Sequence, residues 1–187
     1  MNRNQRSIRI KRYDYSRAGA YFVTICTQNR ECLFGDVVDG EMVLNDAGRI
    51  VDDEWEKSAD IRDEIELDEF VIMPNHFHGV VCIHDDGRGT ARRARGSTAR
   101  RAPTGERFGK PVPGSLPTII RSFKSAVTKR INEMHRAPGV TLWQRGFYEH
   151  VIRNERELTR VRQYITDNTA KWELDRENPD RIQREGE

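Results

Sequence analysis

Two histidines flank one bulky apolar residue in Met73-Pro74-Asn75-His76-Phe77-His78-Gly79. The motif follows Phe70-Val71-Ile72-Met73 and leads into Val80-Val81-Cys82-Ile83, which places it at the start of a buried strand. Successive side chains on a strand alternate faces, so His76 and His78 point one way and Phe77 the other. Neutral imidazoles are common ligands for divalent metals, and two side by side on a rigid sheet make half of a metal site. The same spacing also suits a strand with two partly exposed imidazoles. What completes the site must come from elsewhere in the chain.

The last helix, expected over about Glu155–Leu174, offers the complement. Leu158, Val161, Ile165 and Trp172 form its apolar stripe, and Tyr164 and Asn168 lie one turn apart at the edge of that stripe. Asn168 can supply an oxygen ligand and Tyr164 a nucleophilic hydroxyl beside it. A tyrosine, with a solution pKa of about 10, attacks poorly unless a cation lowers that value or a base removes the proton. The same cation can polarise a phosphodiester oxygen for in-line attack. His150 reads as a ligand, a proton shuttle or a plain strand residue, and Glu149 as a general base or a solvated strand carboxylate. Tyr13, Tyr15, Tyr21 and Tyr148 are rival nucleophiles with no plausible ligand one helical turn away. His84 and His135 fall near loops and carry no assignment.

These residues need elements to hold them. Ala20–Thr27 is nearly continuously apolar or β-branched, as in a strand buried on both faces. Residues 32–44 form a hairpin around Asp39-Gly40. Asn45 or Asp46 caps a helix to about residue 60, with Ala47, Ile50, Val51 and Trp55 on one side. The strand pair with the histidines follows, broken at Pro74-Asn75. Ser115 caps a helix striped by Leu116, Ile119, Ile120, Phe123, Val127, Ile131 and Met134. Leu142-Trp143 and Phe147–Ile152 then make short strands before the last helix. This order implies an α+β fold, an antiparallel sheet with helices packed on one face.

Charged residues make up 33% of the 187-residue chain, yet the formal net charge is only +2. That balance hides a segment, 88–107, with seven arginines against one acid, Glu106. Arg92, Arg93, Arg95, Arg100 and Arg101 there, with Lys124 and Lys129 on the following helix, are candidate contacts to a polyanion such as nucleic acid. A solvated loop accounts for the arginines as well. Residues 85–114 hold too few large apolar side chains to order themselves, and the polar tail over 176–187 is expected to fray. The chain thus reads as one domain, 1–187, with a flexible arginine-rich insertion. Three cysteines with no CxxC pair, no signal-like N-terminus and no membrane-length apolar run point to a reduced, cytoplasmic setting.

Taken together, four blocks resemble the single-tyrosine transposases of the insertion-sequence 200/605 type, closest to the REP-associated tyrosine transposases. Tyr21-Phe22-Val23-Thr24 matches their first strand, and Met73–His78 matches the HUH metal motif, U being a large apolar residue. Trp143-Gln144-Arg145-Gly146-Phe147-Tyr148-Glu149-His150-Val151-Ile152-Arg153 resembles the segment ahead of their catalytic helix, and Tyr164-Ile165-x-x-Asn168 that helix itself. HxH alone is weak; four blocks in order are specific. The chain departs from the pattern at Thr169, where relatives commonly have proline, and in its arginine-rich insertion.

The resemblance implies a ferredoxin-like fold that binds single-stranded DNA, often at a hairpin or palindrome. It implies His76, His78 and Asn168 as ligands to Mg2+ or Mn2+, and Tyr164 as the nucleophile that leaves a 5′-phosphotyrosine and a free 3′-hydroxyl. Such proteins act as monomers or homodimers. Three rivals stand beside this reading: a non-cleaving, domesticated DNA-binding protein, a replication or mobilisation nickase, and a metal-dependent hydrolase working through water.

Overall fold

The computed structural model describes residues 13–84 and 112–184. The arginine-rich insertion, with Arg92, Arg93, Arg95, Arg100 and Arg101, lies outside the described residues apart from its end at 112–114.

Strands β1 (Gly19–Cys26), β4 (Ile65–Met73), β5 (His76–Ile83) and β6 (Tyr148–Ile152) form one sheet in the order β4-β5-β1-β6. Every pairing in it is antiparallel. A separate hairpin, β2 (Gly35–Val38) with β3 (Glu41–Leu44), follows β1. Helix α1 (Asp46–Asp60) leads from that hairpin to β4, and α2 (Leu116–Met134) lies between β5 and β6. Helix α3 (Glu155–Thr166), a 3-10 segment (Thr169–Leu174) and α4 (Pro179–Arg184) close the described chain. The two β-α-β crossovers with interleaved strands give the expected α+β, ferredoxin-like order.

The alternation along β1 and β5 sorts the core into two layers. Tyr21, Val23 and Ile25, with Phe77, Val81 and Ile83, face α1 and α2. There Trp55 packs on Phe77 at 4.5 Å and on Phe123 at 5.1 Å between ring centroids. α1 starts where Asn45 Oδ1 accepts the Gly48 N–H at 2.9 Å. Ser115 stands at the N-cap of α2, but its hydroxyl meets the Thr118 hydroxyl at 3.2 Å rather than a backbone N–H.

The other sheet face is covered as well, which refines the one-sided layering. Phe22, Val80 and Ile152 pack against Leu158 and Ile165 of α3. Periodicity marks a helix's apolar stripe but not the sheet face it will meet. Here the choice follows from parity, because Phe22 and Val80 leave apolar surface on the histidine side. α3 also begins on a cap, with Asn154 Oδ1 accepting the Glu157 N–H at 2.9 Å. The expected helix stops at Thr166 rather than Leu174, and Asn168 caps the 3-10 segment. Leu142-Trp143 makes only an isolated bridge, Thr27 to Trp143.

A bulge in β4 between Leu67 and Phe70 presents Asp68 to α3. Arg162 grips it with two hydrogen bonds, Nε to Oδ1 at 2.8 Å and Nη2 to Oδ2 at 2.5 Å. The tail from Arg176, expected to fray, is tied down where it is described. The Glu177 carboxylate pairs with Arg30 at 2.9 Å, and its backbone carbonyl accepts from Asn75 Nδ2 at 2.7 Å. Among the described residues, no helix is long and apolar enough to cross a membrane.

Gly79 is the tightest point of the aromatic layer. A Cβ there would stand 2.8 Å from Phe77 Cε1 and Cζ and from Trp55 Cζ2, rings that are fully buried. Gly79→Ala should therefore destabilise the protein by about 1–3 kcal/mol through overpacking. Thermal and urea unfolding check this, and an unchanged midpoint would contradict the packing described.

Candidate functional site

The Pro74-Asn75 turn sets the first half of the site. It joins β4 to β5, and its Pro74 carbonyl accepts from the Leu33 and Phe34 amides at 2.8 and 3.0 Å. Asn75 is fully buried and donates Nδ2 to the carbonyls of Arg30 (3.0 Å) and Glu177 (2.7 Å). Its Oδ1 must then face His76 Nδ1, 2.8 Å away, and accept its proton. His76 Nε2 is left as a lone pair. On the neighbouring strand, Thr24 Oγ1 stands 2.8 Å from His78 Nδ1. With that hydroxyl accepting, His78 Nε2 is likewise a lone pair. A hydrogen bond at Nδ1 that fixes Nε2 as the ligand is the usual outer support of a metal-binding histidine.

The two Nε2 atoms lie 3.1 Å apart. In that tautomer two lone pairs converge, an arrangement that a shared positive charge satisfies. Protonation supplies it poorly, because burial pushes His76 down to about 4 and His78 well below the usual histidine range. The neighbouring His76 lowers His78 further, while Asp175 partly opposes the shift on His76. At neutral pH both rings are uncharged and fit to ligate a metal.

Two oxygens are candidate further donors. An Asp175 carboxylate oxygen is 3.9 Å from His76 Nε2, and the His76, His78 and Asp175 donor atoms all lie within 4.8 Å of one another. This group could hold a metal ion. Asn168 is buried, and its Oδ1 has no hydrogen-bond partner among the described residues. An unmet buried carbonyl oxygen is costly, by about 1–3 kcal/mol, and one lining the same cleft as His78 and Asp175 fits a cation's needs. Imidazole with carboxylate and amide oxygen suits manganese or magnesium as well as zinc.

Tyr164 reaches the centre from α3 of the same chain. Its hydroxyl is 3.3 Å from His78 Nε2, and its ring meets His78 at 5.2 Å and Phe22 at 5.9 Å. Burial raises its pKa, Asn168 pulls it back down, and Asp175 raises it again. The phenol therefore holds its proton at neutral pH. The ring is still about half exposed, at 48%, towards a cleft of roughly 590 Å³.

The structure thus gathers His76, His78, Tyr164 and Asn168 into one place. His150 lies on the same sheet face but turns its Nε2 to Glu157 Oε1 at 2.7 Å. Glu149 is buried on the opposite face, paired in register with Val23. Lys124 donates to the Gln144 and Gly146 carbonyls at 2.7 and 2.8 Å, and burial pushes it down to about 8. Lys129 is exposed and stands 3.9 Å from Glu133. Sequence reasoning missed Thr24, Asn75 and Asp175. Asn75 sits in the motif itself and Thr24 in the first-strand block, so both were within reach. Asp175 follows directly on a 3-10 segment that no periodicity foretells.

No family model matches the chain. An uncharacterised protein of Haemophilus influenzae is 38% identical over 172 residues, which is 92% of both chains. Among solved structures, a REP-associated tyrosine transposase bound to a REP hairpin shares the fold. It superposes with a TM-score of 0.54 at 20% identity, over 88% of this chain and 74% of that one. With two fifths of its residues shared along nearly the whole length, the chain belongs to one family with the Haemophilus influenzae protein, built on the fold of the REP-associated tyrosine transposase.

Proposed function

We propose that the chain is a metal-dependent transposase-type transesterase that cleaves single-stranded DNA through Tyr164. The observation that carries this reading is the Tyr164 hydroxyl at 3.3 Å from one of two buried imidazoles whose lone pairs converge. Unpaired DNA suits a half-open cleft beside a sheet, and the REP hairpin held by a protein of the same fold supports hairpin DNA as the substrate.

His76, His78 and Asn168, with Asp175, would hold the ion. A bound Mg2+ or Mn2+ would supply Lewis-acid polarisation of a phosphodiester oxygen and positive charge to offset the desolvation that keeps the phenol protonated. The chain's own groups do the rest. Ile165 and Leu158 fix the helix, so Tyr164 meets the phosphate at a set distance. Its proton leaves to water on the exposed side of the ring, and Oη attacks phosphorus. The P–O3′ bond breaks, the 3′ oxygen takes up a proton, and the 5′ phosphate remains on Tyr164. Reversal by another 3′-hydroxyl rejoins the strand with the bond energy conserved.

Hairpin oligonucleotides with Mn2+ should give a denaturant-stable protein–DNA adduct, and Tyr164→Phe should give none. Persistence of the adduct in that variant would refute the nucleophile; cleavage without any adduct would favour attack by water.

Metal binding supplies a second test. Because both histidine pKa values lie below the ordinary value, protons do not compete for Nε2 as pH falls through 6.5. Mn2+ affinity, read by electron paramagnetic resonance, should stay flat from pH 7.5 to 5.5, whereas a steep loss beginning at 6.5 would contradict the burial argument. Asn75→Ala, which frees the His76 ring, should weaken Mn2+ binding roughly 10–100-fold while circular dichroism stays native. Unchanged affinity would remove Asn75 from the site.

A further inference from the structure

The cleft is larger and more apolar than a phosphate and a metal require. Beyond the centre it is walled by Phe22, Phe147, Tyr148 and Leu174, with Arg145 at its edge. Tyr148 and Leu174 are 43% and 71% exposed, unusual for large apolar side chains on one side of a buried centre. Tyr148 is on β6 in register with Thr24, so it shares the histidine face. Phe22 lies between, 6.4 Å from the Tyr148 ring, 5.4 Å from His78 and 5.9 Å from Tyr164. One ring therefore separates Tyr148 from both the nucleophile and the metal-facing histidine.

The segment before Tyr148 is built rather than loose. Lys124 reaches up from α2 and holds the Gln144 and Gly146 carbonyls with two hydrogen bonds. Gly146 takes φ +91°, which turns the chain between Arg145 and Phe147. Arg145 is exposed, lines the cleft and has no ion-pair partner among the described residues, so its guanidinium can meet an anion there.

We propose that Arg145 and Tyr148 form a nucleotide subsite beside the scissile phosphate: Tyr148 stacks one unpaired base and Arg145 contacts that nucleotide's phosphate. An exposed aromatic ring and a cation lining one cleft match a nucleotide, apolar in its base and anionic in its backbone, and every base offers a face for stacking. The subsite needs neither metal nor cleavage. The inference rests on the proposed DNA-cutting function for its substrate but is measured apart from it.

The test is fluorescence anisotropy in EDTA with the full chain and a labelled DNA hairpin carrying an unpaired flank. Tyr148→Ala should weaken binding roughly 5–150-fold, and Tyr148→Phe should keep it. Arg145→Gln should lower the salt slope by about 0.7, one phosphate contact on a single strand. A scan of abasic positions through the flank then identifies the stacked base. One abasic position should weaken the unaltered protein about as much as Tyr148→Ala does, with no further loss when the two are combined. Equal binding by Tyr148→Ala, losses that add at every abasic position, or no binding by the unaltered protein would overturn the subsite. Adduct formation with Tyr148→Ala at saturating DNA separates the two readings: an intact adduct with unchanged binding refutes only the subsite, and a missing adduct in the unaltered protein refutes only the cutting chemistry.

Discussion

The docking of α3 on the histidine face of the sheet is the constraint from which the rest of the site follows. Leu158 and Ile165 are buried against Phe22, Val80 and Ile152, so the helix can neither slide nor roll without exposing apolar surface. Fully burying one such side chain is worth about 1.5–3 kcal/mol, whereas an exposed ion pair is worth at most about 1. The apolar contact therefore supplies the energy. The Arg162 fork on Asp68, open to solvent on the arginine side, supplies direction: two parallel hydrogen bonds admit one rotation of the helix about its contact. Tyr164 and Asn168 stand beside His78 because of both.

Burial then sets the chemistry. The histidines sit beneath the helix and the tail, and desolvation keeps them neutral where exposed imidazoles would begin to charge. Neutral rings with Nδ1 engaged by Asn75 and Thr24 bring their Nε2 atoms to 3.1 Å, where a single cation would meet two lone pairs at once. The same burial makes Tyr164 a reluctant acid. On the proposed function, metal and nucleophile are thus matched: a site that would take a cation also holds a phenol that needs one to ionise.

Much of this could be read in the chain. Strict alternation put His76 and His78 on one face and Phe77 in the opposite layer, since the period of a strand leaves no choice. Tyr164 and Asn168 both line the cleft even though the regular helix ends between them, because Asp167 and Asn168 keep right-handed helical backbone angles into the 3-10 segment. Other features were hidden for physical reasons. The tail is polar and reads as frayed, yet it is held by a backbone carbonyl on Asn75 and an ion pair to Arg30, neither of which composition reveals. Lys124 reads as a surface charge for DNA. Its ammonium instead satisfies two carbonyls of the segment that lines the cleft, a role set by tertiary reach.

On the proposed function, Tyr164, facing His78, supplies the oxygen of the covalent bond to DNA. Peptide mapping by mass spectrometry, after the metal-loaded protein has met a hairpin oligonucleotide and the DNA has been trimmed, tests it directly. The expected result is a nucleotide mass on the α3 peptide, localised to Tyr164 by fragmentation. A nucleotide found on Tyr148, Tyr21, Tyr15 or Tyr13 would contradict it.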